Sequence, residues 1–268
     1  MSVHARSIAT EAAKVPAVTL GFWIIKILAT TLGETGGDSI TMSWLGETTS
    51  EATGYGYLIG TGLLLVPFVT LVIFQIVTRK FHPLLYWATI AASTMLGTTL
   101  ADYATRSIGI GYPGGSILLF TLVMLSLAGW YWTEGTVSVQ TVGTPRVEAW
   151  YWITITFSQT LGTALGDWAA DSGLGYDGGA LVFGAMLAVT AAAYYRTRIS
   201  HVLLFWAAFI LTRPLGATVG DFLDKPMAKG GLEVSRPLAT AALFVLIVAL
   251  IFVLPQRPGS HPGENAAA

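Results

Sequence analysis

The sequence contains no cysteine, which excludes disulfides, thiolate metal centres and cysteine nucleophiles. Histidine is scarce. The four present, His4, His82, His201 and His261, fall in termini or short polar connections, which argues against zinc or copper held by imidazoles within the apolar segments. Charge is scarce as well: 11 % of residues are charged and 53 % apolar, and the mean hydropathy is +0.65, which places the chain outside soluble domains and in the polytopic membrane class. A net charge of −1 selects no partner. Residues 1–14 are polar and of mixed charge, unlike the basic start of a cleaved signal peptide, so insertion is expected to begin with the first span.

Crossing a bilayer core takes about 20 predominantly apolar residues. Eight segments qualify, at about 15–37, 57–78, 82–104, 113–132, 148–170, 177–195, 201–222 and 236–254. An even number puts both termini on one side. Arg6, Lys14, Arg79, Lys80, Arg146, Arg196, Arg198 and Arg257 flank that side, against Arg106, Lys225, Lys229 and Arg236 on the other, so both termini are expected in the cytoplasm. The expected organisation is a cytoplasmic segment 1–14, a membrane domain 15–255 and a cytoplasmic tail 256–268.

The odd-numbered spans share one pattern, [FY]-W-x8-L-G-x-[TA]-x-[GA]-D. Its aromatic pairs are Phe22-Trp23, Tyr86-Trp87, Tyr151-Trp152 and Phe205-Trp206, its glycines Gly33, Gly97, Gly162 and Gly216, and its aspartates Asp38, Asp102, Asp167 and Asp221. The aspartates are 64, 65 and 54 residues apart, and each repeat holds two spans, at about 15–78, 82–132, 148–195 and 201–254. Two spans per repeat keep successive repeats in the same orientation. The expected fold is therefore all-α: a polytopic membrane protein of eight transmembrane helices in four parallel helical-hairpin repeats. A pseudo-fourfold ring and a pair of pairs both fit.

With this pattern the chain resembles a bacterial family of integral membrane proteins made of four tandem two-span repeats, each with a characteristic tryptophan and of unknown function. The resemblance spans about 15–255 and puts that tryptophan at Trp23, Trp87, Trp152 and Trp206. It implies the architecture and a bacterial inner membrane, and no activity.

The even spans are almost wholly apolar, as in LATAALFVLIVALIFVL, and belong at the periphery. The odd spans carry Lys26, Thr30, Thr31, Glu34, Thr94, Thr98, Thr99, Gln159, Thr160, Thr163, Thr212 and Arg213, which should face one another around a protein interior. The glycines form small-x3-small pairs such as Gly162 and Gly166, suited first to close helix packing. The aromatic pairs read first as belts at the cytoplasmic interface. Packing alone does not require the aspartates. Asp102 and Asp221 have Arg106 and Lys225 four residues on and could pair locally, whereas Asp38 has Met42 there, with Glu34 one turn before, and Asp167 has Asp171. Crowded carboxylates repel unless a cation, proton or base lies between them. They are expected to form a negative vestibule on the non-cytoplasmic side, the half that holds eleven of the fifteen acids.

Lys26 and Arg213 each lie eight residues, about two turns, before an acid. They read as internal neutralisers, as a cationic gate or counter-charge, or as ligands for an anion. Pro214 should kink the seventh span at mid-depth and free a carbonyl. GYPGG at 111–115 and GYDGG at 175–179 read as tight turns before spans four and six. No nucleophile-base-acid arrangement appears in the spans, so enzyme chemistry and nucleic-acid binding are not expected.

The leading expectation is a transporter or exporter of a small cation. Carboxylate, hydroxyl, amide and carbonyl oxygens suit magnesium, calcium or manganese. Asp38, Asp102, Asp167 and Asp221 would form the metal-binding ring, supported by Glu34, Asp171, Thr163 and Gln159, with Lys26 and Arg213 as gate or counter-charge. No cofactor is expected, and the partners are the lipid bilayer and the small solute; homo-oligomerisation is left open. Alternatives are a channel, a proton-coupled carrier of organic cations or metabolites, and a non-transporting scaffold or sensor whose acids pair with its bases.

Overall fold

The computed structural model describes residues 13–49 and 52–260. His4, Arg6, His261 and most of the two expected cytoplasmic segments lie outside the described residues. Among the described residues the fold is made of eight α-helices: α1 Leu20–Asp38, α2 Tyr55–Val77, α3 Pro83–Asp102, α4 Gly111–Glu134, α5 Pro145–Ala169, α6 Gly175–Arg196, α7 His201–Asp224 and α8 Arg236–Val253. Six helical stretches are long and apolar enough to cross a membrane: α2, Pro83–Ser107, α4, the continuous run Pro145–Arg196 that holds α5 and α6, α7 and α8. Among the described residues α1 does not qualify, since Lys26, Glu34 and Asp38 fall within its 19 residues.

Local sequence explains the helix starts. Thr19 Oγ1, His82 Nδ1 and Thr144 Oγ1 accept from Phe22 N, Leu85 N and Val147 N at 3.3, 3.3 and 3.5 Å, capping α1, α3 and α5. Pro83 and Pro145 then occupy the first turn, where a missing N–H costs nothing. GYPGG and GYDGG are not turns ahead of their helices but the first turns of α4 and α6, with Gly111 and Gly175 at positive φ of 67° and 68°. Pro214 does not interrupt α7, which continues through it to Asp224.

The odd helices form a closed ring in which α1 packs on α3, α3 on α5, α5 on α7 and α7 on α1. Each even helix lies outside, on the inner helix of the next repeat: α2 on α3, α4 on α5, α6 on α7 and α8 back on α1. The two helices of one repeat scarcely touch, so the repeat is not a self-packed hairpin. Apolar side chains such as Leu63, Val66, Leu181, Val189, Phe244 and Phe252 remain exposed on this outer layer, as expected of a surface that faces lipid.

The glycines set the ring's radius. A Cβ on Gly33, Gly97, Gly162 or Gly216 would run into Thr94, Gln159, Arg213 or Thr30 respectively. Those four residues each stand three positions before the glycine of the next repeat, and the last pair joins repeat four to repeat one. This cyclic match requires the four inner helices to run parallel and favours the pseudo-fourfold ring. Threonine hydroxyls add cross-helix bonds at the same level: Thr94 Oγ1 donates to Ala29 O and Thr30 Oγ1 to Thr212 O, both at 3.0 Å. In repeats three and four Gln159 and Arg213 replace that threonine.

A Cβ on Gly97 would lie 2.8 Å from Gln159 Cβ and 2.9 Å from its backbone carbonyl carbon. Gly97→Ala is therefore expected to cost about 1–3 kcal/mol, the usual scale of overpacking. Unfolding in detergent micelles measures it, and an unshifted transition would mean that α3 and α5 can separate freely.

Candidate functional site

The inner ring is filled in layers. At the N-terminal ends of its helices lies an aromatic plug of Phe22, Tyr86, Tyr151 and Phe205 with the repeat tryptophans. Trp87, Trp152 and Trp206 are buried, which corrects the reading of these pairs as interfacial belts; only Trp23 is half-buried. Tyr86 and Tyr151 share a hydroxyl–hydroxyl bond of 2.6 Å, and the indoles of Trp87 and Trp206 donate to Gln256 Oε1 and Val137 O at 3.1 and 2.9 Å. The tryptophans thus pin connecting segments onto the ring. Lys14 fastens the same end through a 2.5 Å ion pair with buried Glu148 and a 3.0 Å bond to Gln75 O.

Deeper in the ring, Lys26 shares its level with Ile90, Ile155 and Phe209, all 0 % exposed. Its Nζ lies 4.2 Å from the Phe209 ring centroid and has no hydrogen-bond partner among the described residues. Among the described residues Lys26 thus pairs with no acid, whereas Arg213 does. The Arg213 side chain crosses the ring beside Gly162, and its Nη2 donates to Glu34 Oε2 at 3.0 Å, Thr98 Oγ1 at 2.6 Å and Thr163 Oγ1 at 2.5 Å. Glu34, Thr98 and Thr163 are the residues directly after the repeat glycines, so one guanidinium joins three repeats. Gln159 is fully buried, and neither of its amide atoms has a hydrogen-bond partner among the described residues.

The aspartates come next, and they are buried instead of lining an open vestibule: Asp38, Asp102, Asp167 and Asp221 are 0 %, 1 %, 5 % and 2 % exposed. Their bases come from their own and neighbouring repeats. Arg106 spans Asp102 Oδ1 at 2.9 Å and Asp167 Oδ2 at 3.1 Å. Lys225 spans Asp221 Oδ1 at 2.9 Å and Asp38 Oδ2, with Asp224 Oδ1 at 3.9 Å. Arg236, at the start of α8, stands 3.9 Å from Asp38 and 3.8 Å from Asp224. Asp38 and Asp167 have no base four residues on, yet both are paired across the ring. The backbone is pseudo-fourfold; the charges are a pair of pairs.

Three repeats also leave the α-helix at this level. Short π-helical segments, Ser39–Trp44, Tyr103–Ser107 and Ala170–Leu174, follow α1, α3 and α5, and the second carries Arg106. Repeat four has no such segment there; α7 runs on to Asp224, and Lys225 follows in an extended conformation. Asp171 lies in the third π segment, exposed and outside the buried cluster. A groove of about 900 Å³ between α1, α6 and α7, near Trp23 and Tyr194, is lined by none of these acids.

Two carboxylate triads bring ligand oxygens within 4.8 Å of one another: Glu34, Asp167 and Asp221, and Asp38, Asp221 and Asp224. Asp221 belongs to both. Among the described residues six buried carboxylates, these five and Asp102, meet only four bases in ion-pair contact, Arg106, Arg213, Lys225 and Arg236. With every group ionised the layer carries two uncompensated negative charges. The residues missing from the sequence reading of the site are Asp224, Arg236 and Thr98, together with the reach of Arg106 and Lys225 into the next repeat. The available signal was that a base follows the aspartate by four residues in alternate repeats only.

The model of the Repeat of Unknown Function (DUF347) matches the chain four times, at 21–81, 85–136, 150–200 and 204–255. The chain belongs to the DUF347 family. Each DUF347 match holds one inner helix with its tryptophan and aspartate and the outer helix that follows, so the family unit and the structural ring share one period. No curated protein and no solved structure matches the chain.

Proposed function

We propose that this DUF347 protein is a carrier of a small cation, best suited to a divalent metal such as manganese, magnesium or calcium, and that Glu34, Asp167 and Asp221 bind it. The reading has eight spans, both termini in the cytoplasm of a bacterium and the protein in its inner membrane. It involves no enzymatic step, no nucleic acid and no resident cofactor. The observation that carries it is the two-charge excess of buried carboxylates, which burial makes costly unless a cation or protons offset it. One divalent ion removes the excess in a single step, and oxygen ligands suit these hard ions.

Among the described residues no single base bridges the junction at which this triad stands, between Asp167 of repeat three and Asp221 of repeat four. Arg213 holds Glu34, Arg106 holds Asp167 and Lys225 holds Asp221. Two protons would satisfy the same excess, and a proton-coupled carrier of organic cations is the reading in that case. Extensive pairing of acids with bases equally suits a scaffold.

Ion flux into proteoliposomes with an interior fluorescent sensor separates these readings, with manganese, magnesium, calcium and a proton gradient offered in turn. Saturable flux of one metal, lost in an equally folded Asp167→Asn variant, is the expected result. Proton flux without metal flux would support the proton-coupled reading. Absence of all flux, with Asp167→Asn altering thermal stability alone, would leave the scaffold.

A further inference from the structure

Lys225 stands where a cation would. Among the described residues it is the only base in ion-pair contact with all three members of a carboxylate triad: Asp38 from α1, and Asp221 and Asp224 from α7. Its ammonium underfills the site. Asp38 Oδ1 and both oxygens of Asp224 have no hydrogen-bond partner among the described residues, with Asp38 and Asp224 only 0 % and 5 % exposed. Three carboxylates, Lys225 and Arg236 together leave one negative charge, whereas the same carboxylates with Arg236 and a divalent ion sum to zero.

The backbone gives the ammonium a way out. Lys225 follows the last residue of α7 with φ −75° and ψ 155°, so its side chain is carried on extended chain instead of a helical turn. The connection to α8 folds back over it: Glu233 N donates to Lys225 O at 3.0 Å, and Val234 N to Leu223 O at 2.9 Å. Within that connection Gly230 holds a positive φ of 87°, open to glycine at little strain. The Lys225 N–H still donates to Asp221 O at 2.9 Å, so a withdrawal of the ammonium by side-chain rotation would leave the last turn of α7 in place.

We propose that the Lys225 ammonium is a tethered occupant of the Asp38/Asp221/Asp224 site and competes there with a divalent cation. The inference rests on the cation reading of the acidic layer. It adds a second site that shares Asp221 with the first, closed by a cation belonging to the chain itself. A metal entering this site must displace Lys225, and the ammonium's return would help expel the metal toward the Glu34/Asp167/Asp221 site or back out.

The test is Mn²⁺ binding to the full chain in lipid nanodiscs, by equilibrium binding and by thermal unfolding with and without Mn²⁺. Lys225→Met is expected to unfold at a lower temperature than wild type without metal, to regain that loss with Mn²⁺, and to bind Mn²⁺ at least about tenfold more tightly. If this variant does not fold without metal, Lys225→Gln combined with Asp224→Asn carries the comparison, against Asp224→Asn alone. Wild-type Mn²⁺ flux with no tighter binding in the variants would overturn the Lys225 proposal and leave the cation reading standing. Binding to the variants without wild-type flux would sustain the competitor and remove the transport reading. No binding to any form would overturn both.

Discussion

Arg213→Met is expected to destabilise the fold by about 3–5 kcal/mol, because removing one partner of a buried ion pair leaves the other charge uncompensated. Arg213 is 0 % exposed, and its guanidinium meets Glu34, Thr98 and Thr163 from three inner helices. Without it, Glu34 would sit 2 % exposed in a layer already short of positive charge. Combining Glu34→Gln with Arg213→Met removes both charges, and the double variant should recover most of the loss. Reversible unfolding in micelles for the two single variants and the pair supplies the coupling energy. A cycle whose single losses simply add would show that Glu34 and Arg213 are not energetically paired.

Asp221→Asn should reduce metal flux by roughly 10–100-fold or more, the scale on which even outer-shell partners of a metal act. Asp221 supplies an oxygen to both triads, so its loss weakens both proposed stations. The fold should survive, because Lys225 keeps Asp38 and Asp224 as partners. Asp102→Asn is the informative contrast. Asp102 occupies the same repeat position but joins neither triad, and Arg106 keeps Asp167 when Asp102 is neutralised. Its flux should fall by less than about tenfold, a difference of under about 1.4 kcal/mol. Equal losses in the two variants would mean that all four aspartates act as one ring, and that the charge pairing into two halves has no bearing on transport.

The difference between these aspartates was not legible in the repeated motif. Asp38, Asp102, Asp167 and Asp221 stand at one register, and the sequence marks them as equivalent except for the residue four positions on. That local reading left Asp167 and Asp38 unpaired. Arg106 nevertheless reaches Asp167 across 61 residues of chain, and Lys225 reaches Asp38 across 187. The tryptophans illustrate the same limit. An aromatic near the end of an apolar span fits an interfacial belt equally well whether it points outward to lipid or, as Trp87 and Trp152 do, inward to a plug.

What the sequence by itself determined were the properties carried by short-range pattern. Apolar runs separated the outer helices from the inner ones, repeated glycines and aspartates set the fourfold period, and the small-x3-small spacing marked the faces along which the inner helices meet. The tertiary structure alone decided that the four units close as a ring, that each outer helix lies on the next repeat's inner helix, and that three inner helices pass into π turns just beyond the acids. It alone decided which base meets which acid. Helical periodicity is written within a few residues, whereas ion pairing in a buried layer depends on which side chains the closed ring brings within a few ångströms.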